Sequence, residues 1–344
     1  LIRHRDGIVG SWLGQVVARS PRALDDKKNL GNWEPWVRAS IIDFDLLSHL
    51  HFTTHRETFT YKDHAKTVSR TPRERSVTVW HFQVHTTPND PAPKTRSSRI
   101  ATFIRPSPAV FQSQLDFLDQ YSDLREDRLA EIVTELGPQY AFWSSVVNLH
   151  PDRTKKTIEL LDAALRFANA VEMRIKHAMA CWRPYELSPQ VQPIILTPGH
   201  GTFPSGHSTE NHMIARILWE LYGREPNLGE QLMRQAARIA VNRTVAGVHF
   251  PVDTAAGQVL GLSLARYFIQ RAKGGTKFNA WRFDGERYPG NQDFDFHDFY
   301  DSANGHEKLN PLIDPPYVDP LASMPPAVSP IMKWLWDAAQ AEVI

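Results

Sequence analysis

Three short segments constrain this chain most, because each sets cations or histidines into otherwise apolar, helix-forming sequence. The first runs from Lys176 through HAMACW to Arg183 and Pro184. Seven residues is about two helical turns, so Lys176 and Arg183 are expected on one helix face. Two cations there need an anion, or they face solvent. The second is Pro204-Ser205-Gly206-His207, followed by a helix expected from about Thr209 to Tyr222. A small hydroxyl, a glycine and a helix N-terminus suit an anion: free N–H groups point at it and the dipole favours negative charge. Gly206 lets the backbone come close, and His207 is placed to move a proton. The third is Asn242-Arg243-TVAGV-His249-FPV-Asp253. His249 and Asp253 are four apart around a helix start, so the carboxylate can bond the ring and leave the other nitrogen free to attack or ligate.

Taken singly, each segment has an ordinary reading: a solvated helix face, a turn with a helix cap, a structural His–Asp pair. Taken together, three cations, a Ser-Gly amide nest and two histidines describe one oxyanion pocket.

The rest of the chain falls into three regions. Residues 1–106 are mixed. Arg75 to Val84 reads as a strand with Trp80, Phe82 and Val84 on one face, and Ser98 to Ile104 as its hairpin partner across the polar loop TTPNDPAPKT. Trp36 to Leu50 reads as helix. Residues 107–273 read as successive helices forming the catalytic core. One starts at Pro108 and runs to Asp119. Another is capped by Asp123 and ended by Gly137, with a third starting at Pro138. Thr154–Cys181 has the apolar spacing of a long helix, and others are expected at Leu228–Ala240 and Val252–Arg271. Gly257 and Gly261 form a small face where a neighbouring helix comes close. Residues 274–344 form a Pro- and aromatic-rich extension. Its DFDFHDFYD stretch is expected to pack aromatics on the core, and Pro330–Gln340 to make a final helix.

Composition narrows the function. The net charge of +1 argues against a nucleic-acid surface. The single cysteine, Cys181, permits no intrachain disulfide, and no apolar run approaches the roughly 20 residues of a membrane span. A soluble protein is expected. The chain starts at Leu1 rather than Met, with Arg3, His4 and Arg5 behind it. An upstream segment is therefore expected to be missing, and cytoplasmic and periplasmic or secreted locations both stay open.

The three segments resemble the signature of the type 2 phosphatidic acid phosphatase and vanadium haloperoxidase superfamily: Lys, six residues, Arg-Pro; Pro-Ser-Gly-His; Ser-Arg, five residues, His, three residues, Asp. The one departure is Asn242, where the family usually has Ser. The resemblance covers about residues 140–272 and implies a mainly α fold, a helical bundle of the acid phosphatase type. It implies that Lys176, Arg183 and Arg243 hold the oxygens of phosphate or vanadate, with Ser205 and the Gly206 amide adding hydrogen bonds. His249 would be the axial group, nucleophile to phosphorus or ligand to vanadium, with Asp253 behind it, and His207 the acid–base partner.

The length, the absence of a membrane span and a Thr197-Pro198 pair shortly before Pro204 resemble the haloperoxidase branch. The reading is therefore a vanadate-dependent enzyme oxidising bromide or iodide with hydrogen peroxide, homo-oligomeric as such enzymes often are. The alternatives are a soluble acid phosphatase acting on a phosphomonoester through a phosphohistidine, and a non-catalytic phosphate or vanadate binder. His200 is either a halide or peroxide contact, as in some algal bromoperoxidases, or a loop histidine facing solvent. Met173 stands where chloroperoxidases have Trp, which argues against chloride oxidation.

Overall fold

The computed structural model describes residues 27–57, 60–63, 66–69, 73–87, 90–308 and 316–343. Arg3, His4 and Arg5 lie outside them. In chain order, the elements begin with α1 (Lys27–Asn32), α2 (Pro35–Leu47), β1 (Leu50–Glu57), β2 (Thr60–Asp63), β3 (Lys66–Ser69), β4 (Arg73–Thr87) and β5 (Asp90–Ile104). Helices follow: α3 (Pro108–Ser113), α4 (Leu115–Ser122), α5 (Arg125–Thr134), α6 (Tyr140–Ser144), α7 (Lys155–Met179), α8 (Pro184–Leu187), α9 (Gly206–Leu221), α10 (Pro226–Val245) and α11 (Pro251–Lys273). The chain closes with β6 (Phe278–Asp284), a 3-10 turn at Phe296–Asp298, β7 (Tyr300–Asp301), β8 (His306–Glu307), β9 (Val318–Ser323) and α12 (Pro330–Gln340).

The chain is mainly helical, and α9 and α11 form its centre. Val259, Leu260, Leu264 and Phe268 of α11 are fully buried, each side chain contributing about 1.5–3 kcal/mol. Polar Thr254, Gln258 and Ser263 of the same helix are buried as well, so α11 is enclosed on nearly all sides rather than along one stripe. The two glycines singled out in the sequence lie where α9 crosses. A Cβ on Gly257 would come within 2.6 Å of the Ser208 Cβ and 2.7 Å of the Ser205 carbonyl; one on Gly261 would meet the Thr209 carbonyl at 2.3 Å. The N-terminal end of α9 is thus seated directly on the α11 backbone.

The expected hairpin is part of a five-stranded sheet of order β1-β4-β5-β6-β9, in which β5 and β6 run parallel and the other pairs antiparallel. The sheet therefore joins strands from both ends of the chain. The strands extend to the Thr87–Asp90 pair, into what the sequence suggested was loop; residues 88–89 at the tip lie outside the described residues. The alternation in β4 is as read, and the face of Trp80, Phe82 and Val84 is the outer one. Val77, Val79 and His81 are buried, whereas Val84 is 64% exposed and Trp80 and Phe82 only half-buried. His81 can face inward because its Nδ1 bonds the Tyr267 hydroxyl of α11 at 2.9 Å. Trp80 is served on the outer side by Thr53 Oγ1 at 2.8 Å and by the Arg99 guanidinium above its ring.

The helix expected from Pro108 to Asp119 is broken in two at Gln114. That side chain is fully buried and accepts the Val252 N–H at 3.0 Å, satisfying one of the open donors in the first turn of α11. Asp123 ends α4 rather than capping the next helix; Leu124 takes that position. In the C-terminal region Phe296, Phe299 and Tyr300 are buried against the helices, and α12 spans Pro330–Gln340 as read. No helix of the described residues is long and apolar enough to cross a membrane.

Candidate active site

Lys176 occupies the last turn of α7, but Arg183 is not on that helix. Ala180 adopts φ +47 and ends α7, and Arg183 becomes the residue preceding α8, its N–H held by Glu186 Oε2 at 2.7 Å. The expectation of two cations on one helix face is corrected: a left-handed turn, not helical periodicity, folds Arg183 back toward Lys176. The Lys176 ammonium is buried and donates to the carbonyls of Gly201, Thr202 and Pro204. It thereby fastens the loop leading to Ser205. Burial lowers its pKa to about 8, against the pull of Glu172.

Helix α9 starts at Gly206, three residues earlier than the sequence suggested, with Ser205 as its N-cap accepting from the Ser208 N–H. The amides of its first turn are therefore the open donors. His207 is in that turn. Its Nε2–H donates to the Glu135 carbonyl at 3.0 Å, which leaves Nδ1 without the proton in the neutral ring. Burial, and then the Arg243 charge, press its pKa down to about 3.

Arg243 lies in the last turn of α10, which runs to Val245. Its Nη2 donates to the Glu135 carboxylate and to the Ile132 carbonyl, while Nε and Nη1 are buried without a partner. Unpaired guanidinium donors at such depth are costly and suit an oxyanion. Asn242 supports the same carboxylate: its Nδ2 donates to Glu135 at 2.8 Å and to Glu131 at 3.0 Å, and its Oδ1 accepts from Arg128 at 2.9 Å.

His249 just precedes α11. Its Nδ1 is 3.2 Å from Asp253 Oδ2 and 3.1 Å from Thr202 Oγ1, and its Nε2 accepts from Arg183 Nη1 at 3.0 Å. The tautomer follows: proton on Nδ1, lone pair on Nε2. Asp253 is held in turn by the Thr202 hydroxyl at 2.5 Å and the Phe250 N–H at 2.9 Å. Burial raises the Asp253 pKa to about 6, while burial and the charges of Arg183 and Lys176 push His249 well below the ordinary imidazole value. The ring is neutral across the physiological range.

A cavity of about 180 Å³ is lined by Arg183, His200, Gly206, His207, Arg243 and His249. Lys176, Ser205 and Asp253 lie buried behind its wall. The three sequence segments therefore meet at one site. His200 also lines it, half-buried, with Nδ1 3.1 Å from Arg183 Nη2 and its carbonyl accepting from Arg183 Nε at 3.0 Å. The solvent-facing alternative for His200 falls away. Burial and Lys176 lower its pKa.

Sequence reasoning missed four neighbours. Thr202 sits inside the quoted loop, and its hydroxyl position was the available hint. Glu135 reaches the site from 108 residues away in sequence, which no spacing reveals. Glu172 and Glu210, one turn before Lys176 and one turn after Gly206, are on the cavity wall; their helical offset from the signature was legible but not used.

Residues 160–274 match the family model described as the PAP2 superfamily, and a domain of that superfamily is found there. The same span holds every residue of the three segments. Among solved structures, the chain is similar to the crystal structure of the first transmembrane PAP2 type phosphatidylglycerolphosphate phosphatase from Bacillus subtilis. Identity is 18%, with 48% of this chain and 85% of that one covered, and the TM-score is 0.29. At that score nothing about this chain's activity is drawn from it. No curated protein matches the chain.

Proposed function

We propose that this chain, through its PAP2 superfamily domain, hydrolyses a phosphomonoester by way of a phosphohistidine on His249. The observation that carries the reading is the neutral His249 ring, its Nδ1–H turned to Asp253 and Thr202 and its Nε2 lone pair turned to Arg183, a second residue of the same cavity wall. In the first step Nε2 attacks phosphorus and the phosphorus–oxygen ester bond breaks. Asp253 stabilises the charge arising on the ring. A proton from His207 goes to the departing alkoxide; the bound dianion beside His207 offsets the surrounding cations and lets the ring hold that proton. In the second step water attacks phosphorus, His207 takes the water's proton, and the nitrogen–phosphorus bond breaks to release phosphate. The free donors of Arg243, the first-turn amides of α9 and the charges of Arg183 and Lys176 stabilise the equatorial oxygens in both steps.

The second reading is a vanadate-dependent haloperoxidase. The donor set fits vanadate as it fits phosphate: the unpartnered Nε and Nη1 of Arg243 and the helix N-terminus at Gly206 suit any compact oxyanion. Arg183, Arg243, Lys176, Ser205 and Gly206 would hold its oxygens and His249 Nε2 its metal. Bound vanadate would supply the centre that activates hydrogen peroxide toward bromide or iodide. The contact of His200 with Arg183 at the cavity favours this reading. The wall opposes it, because Glu172 and Glu210 line the same cavity and offer a free halide no cation. A third reading, a non-catalytic binder, leaves the oriented His249–Asp253 pair without a purpose.

Hydrolysis of small phosphomonoesters without metal, measured beside bromide oxidation with vanadate and peroxide, tests the proposal. Turnover of the ester with trapping of a phosphohistidine supports it. Bromide oxidation with no ester hydrolysis replaces it with the second reading.

A further inference from the structure

The cavity has an acidic wall that the proposed chemistry does not use. Glu172 of α7 and Glu210 of α9 both line it, and no ion pair to either is present among the described residues. Glu172 is 1% exposed and its Oε2 has no hydrogen-bond partner. Lys176, one turn along the same helix, offsets part of its charge, but its ammonium bonds the carbonyls of Gly201, Thr202 and Pro204 and not the carboxyl. A Cβ on Gly206 would stand 2.7 Å from Oε1, so the Glu172 carboxyl lies close against this glycine. The acid is thus set against the first amide of the anion-binding helix. Apolar Leu136, Met173 and Leu196 complete this part of the cavity.

A buried, unpartnered carboxyl facing a ligand cavity asks for a donor or a cation from the ligand. Arg183 and Arg243 line the same cavity, so it presents cationic and acidic groups together. We propose that Glu172 and Glu210 form a subsite for a cationic nitrogen, so that the preferred substrate is a phosphomonoester whose alcohol part carries an ammonium group. This rests on the phosphohydrolase reading above. The geometry gives each end of such a molecule its partner: the phosphoryl group lies among Arg243, Arg183 and the α9 amides, the ammonium against the two carboxyls, and the connecting methylenes along Met173 and Leu196. Burial holds both carboxyls above the ordinary range, Glu210 at about 7, and the Glu210 charge pushes Glu172 further up. An ammonium beside them favours the ionised forms and is itself desolvated at low cost by the pair.

The test compares phosphocholine with 3,3-dimethylbutyl phosphate, its uncharged counterpart of nearly equal shape. Hydrolysis of both is measured on the wild type, Glu172→Gln and Glu210→Gln. Binding of both is measured by calorimetry on His249→Ala. The expected result is a wild-type kcat/KM at least ten-fold higher for the cationic ester, a ratio that falls toward unity in either Gln variant. The proposal is overturned if the wild type takes both esters equally, or if the ratio persists in both variants. Should Glu172→Gln not fold, the wild-type ratio and Glu210→Gln decide. Should neither ester be hydrolysed while His249→Ala binds phosphocholine at least ten-fold more tightly, the subsite stands and the phosphohydrolase reading fails. Equal hydrolysis of both esters does the opposite: the phosphohydrolase reading stands and the subsite is lost.

Discussion

The Asn242 amide holds the Glu135 carboxylate at 2.8 Å, and that carboxylate closes on the Arg243 guanidinium. The residue that departs from the superfamily signature is thus a fastening of the anion site. Asn242→Ala removes the bonds to Glu131, Glu135 and Arg128, and is expected to cost about 1–3 kcal/mol of stability with a lower affinity for phosphate. Glu135→Ala leaves Arg243 charged, buried and unpaired, and is expected to cost about 3–5 kcal/mol. Chemical denaturation of the two variants and of the double variant checks this; losses that simply add would show that Asn242 does not act through Glu135.

Gly261→Ala sets a methyl group 2.3 Å from the Thr209 carbonyl, where backbone rather than a flexible side chain must move. Overpacking of this kind costs about 1–3 kcal/mol. Because α9 carries Ser205, Gly206 and His207, the displacement is expected to lower kcat as well as the midpoint of thermal unfolding. An Ala variant with unchanged kcat and midpoint would mean that the two helices separate without disturbing the site.

His249→Ala is expected to abolish turnover while the circular dichroism of the fold stays intact, since the ring makes hydrogen bonds only within the site. The variant should also bind vanadate far more weakly than phosphate, because only vanadium draws on the axial nitrogen in the resting complex. Phosphate and vanadate should compete in the wild type, vanadate inhibiting hydrolysis and phosphate blocking vanadate uptake. Independent binding of the two anions in a titration would refute a shared site.

Phosphate binding should be coupled to proton uptake. His207 is neutral in the free site with a pKa pressed to about 3 by burial and by Arg243, and a bound anion raises it. Between that value and the free-ring value of about 6.5 the complex then holds a proton that the free protein lacks. Affinity should accordingly rise as pH falls through this window. Calorimetry at pH 5 in two buffers of different ionisation enthalpy measures the uptake, which should shrink in His207→Gln; an unchanged uptake in that variant would assign the proton elsewhere.

His200→Phe removes the acceptor 3.1 Å from Arg183 Nη2 but keeps the carbonyl that holds Nε. A several-fold loss of phosphate affinity is expected, with any halide preference shifted. A Phe variant that binds phosphate as the wild type does would make the Arg183 contact incidental.

The local chemistry of the site was legible in the chain. A hydroxyl, a glycine and a helix start at Ser205 and Gly206, and a carboxylate four residues after His249, express short-range geometry that sequence spacing carries directly. The close approach of α9 to α11 was legible for the same reason, since Gly257 and Gly261 lie one helical turn apart. The sheet was harder to read. Strand β9 includes Pro320 at an edge, and β6 is buried without alternation, so neither shows the period-2 pattern of a half-exposed strand. Which face of β4 turns inward depended on Tyr267, a partner from a helix far along the chain. The path from Lys176 to Arg183 depended on one left-handed residue, Ala180, which spacing cannot announce. The sequence by itself determined which groups would gather around one cavity. Only the tertiary structure decided what holds and surrounds them, namely Glu135 on Arg243, Thr202 on Asp253, and Glu172 and Glu210 across the cavity. Those partners are chosen by packing between elements distant in the chain, and no local periodicity encodes them.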